Sequence, residues 1–162
     1  MKERLTAFEI SIRDLHMSFA VRPLGSHDRE QWLALWQGYL AFYESELAAS
    51  VTDLTWNRLL DPEAPIHGLC AATPEGRILG IVHYLFHPVT WAAGPRCYLE
   101  DLFTSQHARG RGVGRTLIEA VYAAADARGA DQVYWLTQEF NATARRLYDR
   151  VAEATPFIKY RR

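Results

Sequence analysis

The sequence predicts a mixed α/β fold, an α+β arrangement on one mixed sheet, in a single domain. Three observations carry that prediction. Short apolar segments separated by turn signals make up the middle of the chain, as in an antiparallel meander. A glycine-rich turn at 106–115 joins one of these strands to an amphipathic helix. Beyond it, strand and helix patterns alternate as a β-α-β-α-β tail. With 162 residues and 49% hydrophobic composition, the chain is long and apolar enough for one core without disulfides or metal.

Residues 1–16 are mixed and weakly periodic, and read as an N-terminal extension ahead of a domain at 17–162. The extension is either an arm packed on this or a neighbouring chain, or a start-site artefact. The first strand is expected at 17–23. A helix follows over 27–46, with Asp28 or Ser26 as N-cap. Trp32, Trp36, Tyr39 and Tyr43 form one stripe along it, at core spacing. Glu44 and Glu46 come at its end, where carboxylates oppose the helix dipole. That placement suggests either an acidic cluster with another purpose or a solvated helix end. A short helix over 53–60 stops at Asp61-Pro62.

Strands at 66–72 and 77–87 flank Pro74-Glu75-Gly76, a hairpin signal. His83 and His87 share a strand face but stand roughly 13 Å apart, too far to chelate one ion. No metal is expected, and His83 reads as a half-buried strand histidine. A third strand covers 96–104. A helix at 116–127 presents Leu117, Ile118, Val121, Tyr122 and Ala125 at helical spacing. A buried strand at 132–137, a helix at 141–150 with Asn141 as N-cap, and a last strand at 156–160 complete the order.

The stretch Gln106 to Arg115 stands apart from this pattern. Glycines between a strand and a helix leave backbone N–H groups free at the helix start, where the dipole favours negative charge. Gly110, Gly112 and Gly114 let the backbone take positive φ and let a ligand come close. Arg109, Arg111 and Arg115 add forked donors suited to phosphate. An anion cradle fits this setting better than a solvated basic turn. A Walker loop would need a lysine, and a dinucleotide fingerprint would need a third glycine where Arg115 sits.

Composition excludes other classes. The net charge of −1 gives no global field for nucleic acid or membrane, and no aromatic platform interleaves with the arginines. No apolar run reaches membrane-spanning length, and no signal-type segment follows Met1. Cys70 and Cys97 lie in no metal-ligand or redox spacing, which fits a reducing, cytoplasmic setting.

Two motifs now carry a resemblance. Arg109-Gly110-Arg111-Gly112-Val113-Gly114 is similar to the acetyl-CoA signature of the GCN5-related N-acetyltransferase (GNAT) family, Gln/Arg-x-x-Gly-x-Gly/Ala. Asn141-x-x-Ala144-x-x-x-Tyr148 resembles the family's next helix. The order of elements fits over nearly the whole chain. Within the family, Tyr98-Leu99-Glu100-Asp101-Leu102-Phe103 and Tyr43-Glu44 resemble the polyamine and diamine acetyltransferases. The segment from Arg145 to Ala152 is similar to members grouped with histone, polyamine or D-amino-acid acetylation. One departure stands out: Val151-Ala152 follow where many members carry a glycine that closes the helix.

The resemblance implies an acetyl-CoA-dependent N-acetyltransferase, with acetyl-CoA as co-substrate. It assigns the pyrophosphate to the turn at Arg109, Gly110, Arg111, Gly112, Val113, Gly114 and Arg115, with Asn141 beside it. It implies that the fourth strand splays from the fifth, so that backbone near Leu102, Phe103 and Thr104 takes the pantetheine and stabilises the oxyanion.

Deprotonating a primary amine of pKa near 10.4 at pH 7 requires roughly 4–5 kcal/mol. Glu100 is the candidate base, against a structural ion pair with Arg96. Asp101 is expected to alternate onto the other strand face. Tyr148 is the candidate acid for the departing thiolate.

Tyr43, Glu44, Glu46 and Asp101 are the candidate acceptor-binding residues. They favour a small cationic amine, such as a polyamine, diamine or amino acid, attacked directly in a ternary complex. Acetylation of protein lysines or N-termini is the main alternative. A non-catalytic acyl-CoA sensor is a third reading, against which Tyr148 argues. The resemblance also implies a homodimer.

Overall fold

A computed structural model describes residues 18–162. The extension at 1–16, and Met17 at the start of the first expected strand, lie outside the described residues. Five strands form one sheet in the order β1-β2-β3-β4-β5. They are β1 (Ala20–Pro23), β2 (Ile66–Ala72), β3 (Ile78–His87), β4 (Arg96–Thr104) and β5 (Val133–Tyr134). The first four make an antiparallel meander, and β5 joins β4 in parallel. The helices are α1 (Arg29–Phe42), α2 (Ala49–Leu60), α3 (Val113–Ala127) and α4 (Ala142–Val151). The mixed α/β class follows the sequence.

Local chemistry explains the boundaries. The β2–β3 hairpin turns at Gly76, whose φ of +86° a side chain would resist. Helix α2 ends at Asp61, held extended ahead of Pro62.

The sheet is covered on both faces. On one, α3 sets Val113, Leu117, Ile118, Val121 and Ala125 against Val82, Cys97 and Leu99. On the other, Trp32 and Trp36 of α1 and Trp56 and Leu59 of α2 pack on Cys70, Ala72 and Ile81. Each large apolar side chain so buried stabilises by about 1.5–3 kcal/mol. Gly38 lets α1 lie close over β4, since a Cβ there would stand 2.9 Å from the Phe103 ring.

Several expectations are corrected. Helix α1 stops at Phe42, not residue 46, because the chain turns at Glu44, whose φ is +50°. Glu44 and Glu46 therefore lie past the helix, not on its last turn. Asp28 does not cap α1 through its side chain. Its buried carboxylate accepts from both terminal nitrogens of Arg22, at 2.6 and 2.9 Å, and from the Gly25 N–H at 2.8 Å. Helix α2 begins at Ala49, earlier than the expected 53. The strand expected over 132–137 is only Val133–Tyr134. Residues 156–160 form no strand: β5 ends at Tyr134 and offers them no ladder, and Phe157, Ile158 and Tyr160 stand exposed.

Candidate active site

The site grows from an irregularity in β4. Opposite His83 and Tyr84 of β3 stand Asp101 and Leu99, so Glu100 is an extra residue, a β-bulge. Strand residues an even number apart turn their N–H groups to the same edge. Yet the Cys97 N–H donates to Gln132 beside β5, while the Ser105 N–H donates to Leu79 on β3. The bulge supplies the change of parity. Counting back from Ser105, Phe103 faces β3, and Leu102 and Thr104 turn their backbone groups to the opposite edge.

At that edge β4 has lost its neighbour. The parallel pairing with β5 covers only Cys97↔Val133 and Tyr98↔Tyr134. Beyond it the strands part, and a cavity of about 590 Å³ opens against Leu102, Phe103 and Thr104. The Leu102 backbone groups and the Thr104 N–H thus face that space, the Thr104 carbonyl being taken by Arg109. Phe103 contributes its ring instead, since its backbone is spent on β3.

The glycine turn closes one end of this cavity. A single 3-10 turn (Gln106–Ala108) leads into Gly110 and Gly112, at φ of +76° and +83°. Gly112 is the N-cap of α3 and has no side chain to satisfy the first N–H groups. A Cβ built on either glycine would meet nothing within 4 Å, so the space above the helix start is open. Free amides, a positive dipole end and an open approach fit a pyrophosphate. Of the arginines, Arg115 and Arg109 line the cavity. Arg109 is turned back onto β4, its Nε donating to Thr104 O at 3.4 Å and its guanidinium over the Phe103 ring. Arg111 is exposed and does not line the cavity.

Helix α4 forms the opposite wall. The Asn141 Oδ1 accepts from the Ala144 N–H, and its Nδ2 donates to the Thr137 hydroxyl at 3.3 Å. Asn141 therefore caps the helix while also lining the cavity. Two turns on, Tyr148 faces the same space, edge-on to Trp135 with ring centroids 5.3 Å apart. Burial, and then the neighbouring Tyr43, push its hydroxyl up to about 12.

The far end is aromatic. Tyr39, Phe42 and Tyr43 from the end of α1 meet Phe140 from the loop before α4. The rings of Trp36, Tyr39 and Tyr43 follow one another at 5.4 and 5.1 Å, and Phe42 stands 6.0 Å from Phe140. Behind Tyr39 lies the acidic pair. Leu99 packs against α3, so Glu100 points to the α1 face. The bulge returns Asp101 to that same face, where it meets His83 at 2.9 Å. The expected alternation of Glu100 and Asp101 onto opposite faces is overturned. Burial, then the charge of Asp101, raise the Glu100 carboxyl above the ordinary carboxylate range.

The structure thus gathers Tyr43, Leu102, Phe103, Thr104, Arg109, Gly110, Gly112, Val113, Gly114, Arg115, Asn141 and Tyr148 around one cavity. Glu44 and Glu46 are exposed and do not line it, because α1 ends before them; Glu100 and Asp101 are not among its lining residues either, Asp101 standing behind Tyr39. Arg96 pairs with Asp131, at 2.9 Å, and not with Glu100. The sequence reading gave Tyr39 to a core stripe and His83 to a half-buried strand position, where it is in fact fully buried, and did not single out Phe42 or Phe140. Tyr39 and Tyr43, four apart on one stripe, were the available signal; the His83–Asp101 pairing had none.

Comparison with known proteins gives the same family from two directions. The acetyltransferase (GNAT) family profile matches residues 29–152. The chain is 37% identical over 143 residues to the D-amino-acid N-acetyltransferase HPA3 of Saccharomyces cerevisiae, covering 88% of this chain and 89% of the relative. The aminoglycoside acetyltransferase AAC(6')-Iy, solved with a bisubstrate analogue containing CoA, superposes with a TM-score of 0.77 at 18% identity. The match covers 90% of this chain and 97% of that one. The ribosomal-protein-alanine N-acetyltransferase of Brucella melitensis biovar Abortus 2308 gives 0.75 at 18% identity, over 88% of this chain and 97% of its own. At these identities the two structures speak to fold alone.

Proposed function

The chain belongs to the acetyltransferase (GNAT) family and is an acetyl-CoA-dependent N-acetyltransferase; from that premise we propose that it acetylates a small cationic amine by direct attack in a ternary complex. Polyamines, diamines and amino acids are the acceptors of that class. The observation that carries the reading is the placement of Glu100 and Asp101 on one sheet face, behind the aromatic end of the cavity. Two carboxylates and several ring faces suit an ammonium group. The yeast relative, named for D-amino acids, is consistent with it.

Acetyl-CoA supplies the acetyl group as a thioester. The amides at the start of α3, with Arg115 beside them, hold its phosphates. The Leu102 N–H, turned to the open edge of β4, donates to the developing oxyanion. Glu100 takes the proton of the acceptor's ammonium group; its raised carboxyl is a stronger base than an ordinary glutamate. Tyr148 keeps its proton at neutral pH and holds it for the departing sulfur. Burial pushes the Cys70 and Cys97 thiols up to about 11.

Those two buried thiols also favour direct transfer. Each is 0% exposed, and neither offers a thiolate at neutral pH. Turnover of acetyl-CoA across a panel of polyamines, amino acids, neutral amines and peptides tests the proposal. Preference for cationic small amines is expected. Preference for peptides, or for neutral or anionic amines, overturns the acceptor class, and an isolated acetyl-cysteine overturns direct transfer.

The same reading includes a homodimer and a cytoplasmic setting. The exposed Phe157, Ile158 and Tyr160 support the first, and the two unpaired cysteines support the second. No described helix is long and apolar enough to cross a membrane.

A further inference from the structure

Behind the aromatic wall lies a hydrogen-bonded series that the reaction scheme does not use. Trp32 and His83 are 0% and 1% exposed. The Trp32 Nε1–H donates to His83 Nε2 at 3.0 Å, and His83 Nδ1 lies 2.9 Å from Asp101 Oδ2. An indole nitrogen can only donate. The His83 Nε2 is therefore the accepting, unprotonated nitrogen, and Nδ1 carries the hydrogen that it donates to Asp101.

The tautomer is thus fixed by a residue one layer deeper, on a different element. Asp101 has one oxygen committed to this bond. Its side chain keeps 16% of its surface exposed, and, after burial, its negative charge and its acceptance from the hydroxyl keep Tyr39 protonated; the Tyr39 ring lines the cavity.

We propose that Trp32 and His83 are positioning residues for Asp101, fixing one carboxylate oxygen so that the other receives the acceptor's ammonium group. The inference deepens the acetyl-transfer reading and rests on it. Three elements meet to make the device: α1 brings Trp32, β3 brings His83, and the bulge in β4 swings Asp101 to the same face. A buried carboxylate free to rotate would take a tyrosine, a water or the amine in turn. One anchored through a buried imidazole offers the amine a single orientation. The charged and titratable groups around it are Tyr39 on α1, His83 on β3, and Tyr98 and Glu100 on β4. Lys159 adds a positive charge near Glu100.

The test compares His83→Leu, His83→Asn and Trp32→Phe in steady-state kinetics, using the best acceptor found in the amine panel. An asparagine amide can place an N–H where Nδ1–H stands; leucine cannot. His83→Leu is expected to raise the acceptor KM about tenfold or more, leaving the acetyl-CoA KM within about twofold, and His83→Asn to recover most of that loss. Nitrogen-15 spectra of the wild-type imidazole near neutral pH are expected to report the Nδ1–H tautomer, and Trp32→Phe to mix the two tautomers.

Equal acceptor KM values for His83→Leu and His83→Asn, a rise shared by both substrates, or an Nε2–H imidazole in the wild type overturn the proposal. Should His83→Leu fail to fold, His83→Asn, Trp32→Phe and the wild-type spectrum still decide it. If no amine in the panel is acetylated, the acetyl-transfer reading itself fails, and the spectrum still reports the tautomer on its own.

Discussion

Cys97 and Ser105 are separated by an even number of residues along β4 and its extension, yet their N–H groups point to opposite edges of the strand. The first donates to Gln132 on the β5 side, the second to Leu79 of β3. Only the extra residue at Glu100 reconciles the two. The same residue turns the Leu102 backbone to the open edge and brings Glu100 and Asp101 to one face. The proposed oxyanion donor and the acidic pair are thus two consequences of one irregularity.

Tyr148→Phe removes the proposed acid and leaves the ring. We expect kcat to fall about 10²–10³-fold, with both KM values within about twofold, measured by thiol release. With its hydroxyl at about 12, Tyr148 should impose no alkaline fall in the wild-type rate below about pH 10. Full turnover by the phenylalanine variant would falsify the assignment.

Glu100→Gln separates chemistry from stability. The glutamate's carboxyl is raised in the folded state by burial and by Asp101. Its favourable contribution is complete below the unfolded value and lost as pH rises through the folded one. At neutral pH the folded protein therefore carries a charge that glutamine lacks and that is partly desolvated, the rest of Glu100 being exposed to water. The variant should melt at a higher temperature than the wild type at neutral pH, with the difference vanishing near pH 4. Its kcat/KM for the amine should drop on the order of 10²-fold. Lower thermal stability at neutral pH would count against the burial argument.

Gly112→Ala strikes the cradle. At φ of +83° an alanine destabilises the left-handed turn by about 1–2 kcal/mol, and it crowds the amides at the start of α3. Calorimetry should show acetyl-CoA binding weakened about tenfold, together with a lower melting temperature. Unchanged binding would place the phosphates elsewhere.

Asp28→Asn tests the pairing that ties β1 to the start of α1. The guanidinium of Arg22, hydrogen-bonded to the carboxylate, holds Asp28 below its usual range. That contribution is present above the ordinary aspartate value and disappears as pH falls through the depressed folded one. Asp28 is buried but the Arg22 side chain is 35% exposed, so losing the carboxylate should destabilise by about 1.5–3 kcal/mol, readable in urea unfolding at neutral pH. The gap between variant and wild type should shrink in acid.

Much of this molecule was written locally. Strands β2 and β4 begin and end where apolar runs and turn signals place them, and the glycine turn stands, as read from its neighbours, between β4 and a helix. Asn141 was legible as an N-cap, and it is one. Local signals also misled. Asp28 has the chemistry of an N-cap but is drawn to Arg22. Residues 156–160 carry the strand-forming Phe157, Ile158 and Tyr160 but find no partner ladder within the described residues.

By itself the sequence determined the class of fold and the family, and marked the glycine turn proposed as the phosphate cradle, because each rests on neighbours in the chain: periodicity, turn residues, a motif. Only the tertiary structure arranged the proposed acceptor side. A bulge is a relation between two strands, invisible in either alone, and it overturned the alternation of Glu100 and Asp101. The exit of the chain from α1 at Phe42 left Glu44 and Glu46 outside the cavity. The meeting of Trp32, His83 and Asp101 joins residues far apart in the chain, held together by packing on both faces of one sheet.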